Sequence, residues 1–347
     1  MEGVGGTGYL TGVSQISAGK YHTCAVVSVS GSVYCWGQNG YAQLGNNSTN
    51  DSSTPVRVRT GTNTYLANIT QVGSGGGHSC ALRSTDNTVW CWGRNAFGEV
   101  GDNTTNQQRQ MAVQVHISTY TNLTNAVEIA IGTNHSCARL SDGTARCWGY
   151  NLYGEVGDNT TANRSVATLV VGASGSGTLG GITDLSSGRF HTCALISDST
   201  VYCWGYNNHG QLGDGTIANR SLPVRAGSIT TATTVSAGEY HSCAALADGT
   251  AQCWGAAAFG QIGDGTTADT STPVTVIGPG GYGVLTGVAV ISAGGGNWPD
   301  GNGAYNYEHT VALLSDGTVV SWGQNIYGQL GDGTTTMSIS PVAVQLQ

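Results

Sequence analysis

Short apolar runs of five or six residues alternate with polar turn residues along the whole chain. The runs favour Val, Ile, Thr, Tyr and Trp, and Gly, Asn, Asp and Ser collect between them. Such runs are too short for helices and are typical of β-strands. Four of them, separated by turns, make up the clearest unit, residues 182–225. We therefore predict an all-β chain built from four-stranded antiparallel sheets.

This four-strand unit recurs along the chain, and each copy carries a Trp-Gly pair at the end of its third strand. The pairs begin at Trp36, Trp92, Trp148, Trp204, Trp254 and Trp322. The copies span approximately residues 10–60, 65–117, 123–172, 179–227, 229–278 and 285–347. Repeats of this length indicate a solenoid or a propeller, and four-stranded sheets bury their faces when they stack around an axis. We expect one β-propeller domain over residues 1–347, with six blades, or seven as the alternative.

The cysteines fall into pairs, one pair in each of five copies, on either side of a turn. A separation of ten or eleven residues around a turn places two cysteines opposite each other in a hairpin, about 4.5 Å apart at Cα, which a disulfide can span. The sixth copy has lost both members, with Val311 and Ser321 in their places. Joint loss favours bonded pairs over the alternative, free thiols packed in the core. The predicted cross-strand disulfides are Cys24–Cys35, Cys80–Cys91, Cys137–Cys147, Cys193–Cys203 and Cys243–Cys253.

Composition narrows the choice of partner and compartment. Charged residues are 9% of the chain, the formal net charge is −8, and Lys20 is the only lysine. A nucleic-acid-binding surface needs a basic cluster, so we predict no nucleic-acid partner. No apolar run is long enough to insert into a membrane, and the N-terminus lacks a secretory signal. Five disulfides nevertheless indicate an oxidising compartment. We expect an extracellular, periplasmic or cell-surface module without its signal; a cytoplasmic protein is the alternative.

One histidine recurs just after the glycine turn of each copy. These residues are His22, His78, His135, His191, His241 and His309. Equivalent residues in different blades of a propeller come together only if their side chains point into its central channel, so we predict a structural role for these histidines. A zinc or copper site formed by His and Cys is the alternative. The Gly-Asp-Gly turns supply one carboxylate each, whereas calcium needs six or more oxygens. Turn chemistry explains them, and we predict neither a metal nor another cofactor.

The sixth copy contains an irregular loop, residues 295–308, where other copies have three or four residues. Departures from a regular scaffold often carry binding, and this one mixes flat aromatic side chains with adaptable polar ones, as paratopes do. A tolerated insertion is the alternative. The predicted ligand-binding residues are Asn297, Trp298, Asp300, Asn302, Tyr305, Asn306 and Tyr307.

The repeat has a recognisable signature. It is written in the fifth copy as Ser236-Ala-Gly238, His241, Ala247-Asp-Gly249, Cys253-Trp-Gly255 and the motif of residues 259–265. This signature resembles the regulator of chromosome condensation repeat family. The resemblance implies a propeller, usually of seven blades, and the cysteine pairs look like a bacterial extracellular branch of the family.

Members of that family serve as a nucleotide-exchange factor on chromatin, as a plant ultraviolet-B photoreceptor and as a secreted β-lactamase inhibitor. The fold alone therefore does not determine the function. The acidic charge argues against the first role. Only Trp90 and Trp298 lie outside the Trp-Gly pairs, which argues against the second.

No nucleophile–base pair, phosphate loop or carboxylate dyad stands out from the repeat, so we predict that the chain is not an enzyme. Our interpretation is a non-catalytic, secreted or surface-displayed recognition module that binds a protein or a glycan. A structural, disulfide-stabilised module of an appendage or surface layer is the second hypothesis, and an enzyme with a site in the central channel is the third. The sequence leaves the oligomeric state open.

Overall fold

The computed structural model describes residues 8–105, 107–295, 297–298, 305–306 and 308–345. The chain forms two compact units, residues 1–180 and 181–347. Each unit contains three four-stranded antiparallel sheets, and in each sheet the strands follow one another in chain order. The six sheets match the six copies of the sequence repeat. Whether they close into a single ring remains a prediction.

The strands of the first unit fall into three sheets and two small hairpins. The first sheet is β1 (Val13–Ala18), β2 (His22–Val27), β3 (Ser32–Gly37) and β4 (Ser52–Arg57). The hairpin β5 (Arg59–Gly61) and β6 (Thr64–Tyr65) follows it. The second sheet is β7 (Ile69–Ser74), β8 (His78–Arg83), β9 (Thr88–Gly93) and β10 (Arg109–Gln114). The hairpin β11 (His116–Ser118) and β12 (Thr121–Asn122) precedes the third sheet. The third sheet is β13 (Ala126–Ile131), β14 (His135–Leu140), β15 (Ala145–Gly149) and β16 (Arg164–Leu169).

The strands of the second unit repeat the same order. The fourth sheet is β17 (Ile182–Ser187), β18 (His191–Ile196), β19 (Val201–Gly205) and β20 (Arg220–Arg225). The fifth is β21 (Ala232–Ala237), β22 (His241–Leu246), β23 (Ala251–Gly255) and β24 (Thr270–Thr275), followed by a 3-10 turn, Pro279–Gly281. The sixth is β25 (Val288–Gly294), β28 (His309–Leu314), β29 (Val319–Gly323) and β30 (Ser338–Ala343). A hairpin, β26 (Asn297–Trp298) and β27 (Tyr305–Asn306), lies between β25 and β28.

The core of each unit lies between consecutive sheets, where apolar side chains of two faces pack together. Between the first and second sheets the buried set includes Val26, Val72 and Trp92. The Trp-Gly tryptophan of one sheet packs on a glycine of the sheet before it. A Cβ added to Gly45 would come within 2.7 Å of the Trp92 indole, and the φ of Gly45 is +64°. Only glycine fits both the conformation and the close approach.

All five predicted disulfides are present, and each joins the second and third strands of one sheet. The paired cysteines are register partners, with Cα–Cα distances of 4.0 to 4.1 Å, and every one is fully buried. In the sixth sheet Val311 and Ser321 are register partners at the equivalent place. The prediction of bonded rather than free cysteines is therefore confirmed.

Candidate functional site

In four copies, two in each unit, the repeated histidine connects its sheet to the next by a hydrogen bond. His22 Nε2 lies 2.7 Å from Ser79 Oγ of the following sheet. The same bond joins three more pairs, with distances of 2.8 to 3.0 Å: His78 to Ser136, His191 to Ser242 and His241 to Thr310. Burial lowers the pKa of His22 to about 4 and that of His78 to about 3. The His22 and His78 rings are therefore neutral at physiological pH. All four bonded rings connect sheets, which is the structural role expected from the sequence.

The hydroxyl group that bonds to each histidine also makes a second hydrogen bond, which fixes its orientation. Ser79 Oγ donates to the backbone carbonyl of Gln43, 3.1 Å away in the preceding sheet, and Trp92 Nε1 donates to the same oxygen at 2.8 Å. The arrangement recurs at the carbonyls of Glu99, Gln211 and Gln261. Histidine, hydroxyl, carbonyl and indole thus form an inter-sheet latch, a name we use below for this set of bonds.

The Gly-Asp-Gly aspartates are held by their own loops. Asp214 accepts hydrogen bonds from the backbone N and Oγ1 of Thr216 at 3.0 and 2.7 Å, and from Asn207 Nδ2 at 3.2 Å. Its other oxygen accepts from Arg220 Nε at 2.9 Å. Across the described part of the chain, no group of three or more His, Cys, Asp or Glu side chains is arranged to hold a metal ion. These aspartates stabilise turns, as the sequence indicates.

A group of aromatic rings lies at the loop end of the fourth and fifth sheets, in the second unit. Tyr206 makes edge contacts with Phe190 and Tyr240, with both pairs of ring centroids 6.1 Å apart and both interplanar angles 63°. The Arg189 guanidinium lies over Phe190 and Tyr240, at 4.8 and 5.3 Å from the ring centroids. It also faces Glu239 at 3.5 Å. We call Arg189, Phe190, Tyr206 and Tyr240 the second-unit cluster.

The edge of this cluster carries an exposed ionisable pair. His209 lies 5.2 Å from Tyr240, ring centroid to ring centroid, and its Nδ1 is 2.8 Å from Asp269 Oδ2. The hydrogen bond to Asp269 raises the pKa of His209. Burial raises the pKa of Tyr240 to about 12, so its hydroxyl stays neutral.

A buried carboxylate lies beneath the cluster. Glu308 and His241 are both fully buried, and Glu308 Oε2 is 2.6 Å from His241 Nδ1. Gln261 Nε2 donates to the same oxygen at 3.2 Å. Its bonding partner His241 directly follows Tyr240 in the chain, which places the carboxylate next to the cluster.

Thr310, His241 and Glu308 occur in the order of a hydrolase triad, hydroxyl to imidazole to carboxylate. Thr310 is fully buried, however, and its hydroxyl donates to the Gln261 carbonyl at 2.8 Å. A nucleophile needs access to substrate and a proton that its base can remove. The set is therefore the inter-sheet latch with one added carboxylate, rather than a catalytic triad.

The irregular loop begins beside these residues. A Cβ added to Gly295 would lie 2.9 Å from Glu308 Cγ and 3.2 Å from Glu239 Cγ. Asn297 and Trp298 then pair with Asn306 and Tyr305 in the hairpin β26–β27. Of the predicted ligand-binding residues, Asp300, Asn302 and Tyr307 lie outside the described residues. The binding role of the loop remains a prediction.

The first unit has a comparable cluster, formed by the loops of its first, second and third sheets. Arg94 lies over Tyr41 and Phe97, 5.6 and 5.0 Å from the ring centroids, and Phe97 contacts Tyr150 at 4.9 Å. Arg94 Nε is 3.6 Å from the buried Glu99. Burial raises the pKa of Glu99. We call Tyr41, Arg94, Phe97 and Tyr150 the first-unit cluster.

Neither cluster was predicted from the sequence, and nor was the role of Glu308. The signal lay in the residue before each repeat histidine, which is aromatic at Phe190 and Tyr240 and acidic at Glu308. The residue after Trp-Gly supplies further rings, Tyr150 and Tyr206. When these two positions are compared between copies, rather than followed along one copy, their aromatic residues predict a surface shared by neighbouring sheets.

These sheets, latches and loop-end residues define a repeat protein of the β-propeller class. The chain belongs to the RCC1-like domain family, whose model matches residues 4–298. A second model, the regulator of chromosome condensation (RCC1) repeat, matches residues 304–329. The resemblance expected from the sequence is thereby confirmed.

Similar proteins include large multidomain ones. The chain is 31% identical over 215 residues to the probable E3 ubiquitin-protein ligase HERC4 of Homo sapiens, a match that spans 61% of this chain and 19% of that protein. It is 27% identical to the ultraviolet-B receptor UVR8 of Arabidopsis thaliana, over 96% of this chain and 58% of the receptor. The chain thus covers less than two thirds of either relative.

Similar solved structures give the fold class. Yeast RCC1 (Prp20), in a crystal structure bound to Kap60, has a TM-score of 0.75 at 20% identity, over 96% of this chain and 75% of that one. Human WBSCR16 has a TM-score of 0.76 at 21% identity, over 96% and 82%. The predicted β-propeller, with six four-stranded blades and disulfides within blades, is confirmed. In the described residues, the only helical segment is the turn Pro279–Gly281, and no helix could cross a bilayer.

Proposed function

We propose that this chain is a non-catalytic recognition module that binds its ligand at the loop end of the second unit. The observation that carries the proposal is the second-unit cluster beside the base of the irregular loop. Its rings are partly exposed and are held in place by an arginine and by each other, which is the pre-organised aromatic surface typical of binding hot spots. The β-propeller is a scaffold that presents such loops rigidly.

The class of ligand is a protein or a glycan. Support for a protein comes from similar structures, since yeast RCC1 (Prp20) was crystallised with Kap60, and Prp20p of Saccharomyces cerevisiae has binding properties to Gsp1p and histones. Support for a glycan comes from the mixture of aromatic and polar side chains at the cluster and in the loop. HERC4 is a probable ubiquitin ligase of which this chain covers 19%, and we do not propose that activity here.

An array of glycans and extracellular proteins, probed with the oxidised full chain, tests the recognition role. The variant Trp298→Ala/Tyr305→Ala/Tyr307→Ala should fold normally and lose binding to the array ligand. Tyr120, which is 97% exposed on the β11–β12 turn of the first unit, provides the matched control, and Tyr120→Ala should bind normally. Equal binding by all three proteins would move the site away from the loop, and no array ligand at all would favour the structural-module hypothesis.

We also propose that the module works in an oxidising compartment. Five buried disulfides support this, because cytosolic thiols are kept reduced. Protein recovered from its native compartment should have an intact mass that lacks ten hydrogens relative to the fully reduced chain. Free thiols in that protein would contradict the proposed localisation without affecting the binding proposal.

A further inference from the structure

The first sheet exposes a face that is buried in the sheets after it. Ile16 of β1 is 67% exposed and Val13 is 38% exposed. The equivalent residues of the second sheet, Val72 and Ile69, are only 2% and 3% exposed, because they pack on the sheet before them. The same two positions are also buried in the third, fifth and sixth sheets. We call the side of the first sheet that carries Val13 and Ile16 the entry face.

The sixth sheet exposes the opposite kind of face. Leu313 and Val344 are 41% and 42% exposed, whereas their counterparts in the first sheet, Val26 and Val58, are 1% and 0% exposed under the second sheet. We call the side of the sixth sheet that carries Leu313 and Val344 the exit face. In repeat arrays the terminal repeats need a polar outer face to stay soluble. Two exposed apolar faces at the terminal sheets therefore mark interaction sites.

Each open face carries one half of the inter-sheet latch. On the entry face, Thr23 and Trp36 hold the hydroxyl and indole positions of the latch. Neither of these side chains has a hydrogen-bond partner among the described residues. On the exit face, His309 and the backbone carbonyl of Gln329 hold the histidine and carbonyl positions. The two faces together therefore contain the four groups of one complete latch.

The packing of tryptophan on glycine gives the same result. Trp92 packs on Gly45, whose φ is +64°. Gly331 of the sixth sheet has the same φ, but the side chain closest to it is Val344 rather than an indole. Trp36 is half-buried, whereas the other five Trp-Gly tryptophans are fully buried. Among the described residues, the entry face thus has an indole without a glycine, and the exit face has a glycine without an indole.

We propose that copies of this chain associate head to tail, with the exit face of one copy packed on the entry face of the next. Faces of these two kinds already pack together between the first and second sheets, through apolar contacts and a latch. A second copy is the occupant because it supplies the matching half for each face. Such a contact joins two different faces, so copies add in one direction. This inference goes beyond the recognition role, which uses the loop end of the second unit. A ring closed within one chain is the competing arrangement.

Sedimentation equilibrium of the oxidised full chain over a range of concentrations tests the association. The average mass should rise above that of a single chain as the concentration increases. Ile16→Asp places a charge on the entry face and Leu313→Asp places one on the exit face. Each should weaken the association by roughly tenfold or more, because the charge would lose its water in the contact. Val29→Asp is the matched control, since Val29 is 97% exposed in the turn between β2 and β3, and it should associate like the natural chain.

A mixture of the two face variants tests the direction of the contact. Ile16→Asp keeps an intact exit face, and Leu313→Asp keeps an intact entry face. At a concentration where each variant alone is monomeric, an equal mixture should therefore form dimers and nothing larger. A contact between two like faces would instead persist in one of the variants alone, and that result would overturn the head-to-tail arrangement.

Thermal melting checks that each variant folds. Val13→Asp and Val344→Asp change the same two faces and replace a variant that does not fold. A natural chain that stays monomeric at every concentration overturns the proposal and favours closure within one chain. Equal association of Ile16→Asp, Leu313→Asp and Val29→Asp also overturns it, because the copies would then meet through another surface.

Discussion

In the first unit Arg94 lies over Tyr41 and Phe97, and in the second unit Arg189 lies over Phe190 and Tyr240. The two arginines hold different repeat positions, since Arg94 follows Trp92-Gly93 and Arg189 precedes His191 by two residues, yet the distances from guanidinium to ring centroid agree within 1 Å. The polar groups around the rings differ as well.

In the first unit Glu99 Oε1 accepts no hydrogen bond among the described residues but lies 3.6 Å from Arg94 Nε, and Gln43 Nε2 donates to Gln38. Below the second-unit cluster Gln211 and Glu308 each keep one atom unpaired among the described residues. One repeat can therefore build similar arginine–aromatic clusters from different positions, with different polar groups around them.

Removing the buried carboxylate of the second unit should have the largest effect on stability. Glu308→Ala leaves His241 Nδ1 and Gln261 Nε2 without their acceptor, and breaking a buried pair from one side costs about 3 kcal/mol or more. Denaturant unfolding of the oxidised chain measures the loss. Glu99→Gln is the counterpart in the first unit, and it should cost nothing because Gln occupies that position in other copies. Equal losses in the two variants would remove the distinction between the clusters.

The two units should also respond differently to pH. Burial raises the pKa of Glu155, in the third sheet, from 4.5 to about 8. The folded state then binds more protons than the unfolded state between these values, so its stability falls as the pH rises from about 4.5 to 8. The fourth and fifth sheets carry Gln211 and Gln261 at this position and lack the effect.

Glu155→Gln should therefore flatten the stability profile between pH 6 and 8, measured by unfolding at a series of pH values. The buried histidines act in the opposite direction: because the pKa of His22 is lowered to about 4, its stability contribution is lost as the pH falls from about 6.5 to 4. A profile above pH 6 that is the same in Glu155→Gln as in the natural chain would contradict the first assignment.

A smaller gain is expected from completing the pattern of disulfides. Val311→Cys/Ser321→Cys places two cysteines at register partners equivalent to the other five pairs. Closing a loop of this size stabilises by roughly 2–3 kcal/mol in the chain-entropy model, and loss of the Ser321 hydrogen bond to Leu330 offsets about 1 kcal/mol of it. Mass spectrometry should show a sixth bond, and unfolding should show the gain. A variant that stays reduced in air would argue against equivalent geometry in the sixth sheet.

The smallest effect is expected at the arginines themselves. Arg94→Ala and Arg189→Ala should each destabilise by about 1 kcal/mol, the value of cation–π contacts near a surface. Only Arg189→Ala should also alter ligand binding, since Arg189 lies on the cluster that we propose binds the ligand. If Arg94→Ala changes binding as much as Arg189→Ala, the first-unit cluster takes part in recognition.

Structural features that recur in successive copies could be predicted from the sequence, whereas features found in a single copy could not. The disulfides and the structural role of the histidines followed from identical positions in successive copies. The partner of His22 is Ser79, in the next copy, and the pattern within one copy gives no sign of it. The residue before the repeat histidine varies between copies, so only the burial of Glu308 against His241 reveals its role. Local sequence dictates strands and turns, whereas contacts between sheets depend on stacking.

The inter-sheet latch has a direction. His22 and the Gln43 carbonyl belong to the earlier sheet, while Ser79 and Trp92, which bind them, belong to the later one. During synthesis the first two are already in place when the second two leave the ribosome. Within each unit a newly made sheet can therefore dock on the sheet before it, so these latches can form in order from the amino end of the unit.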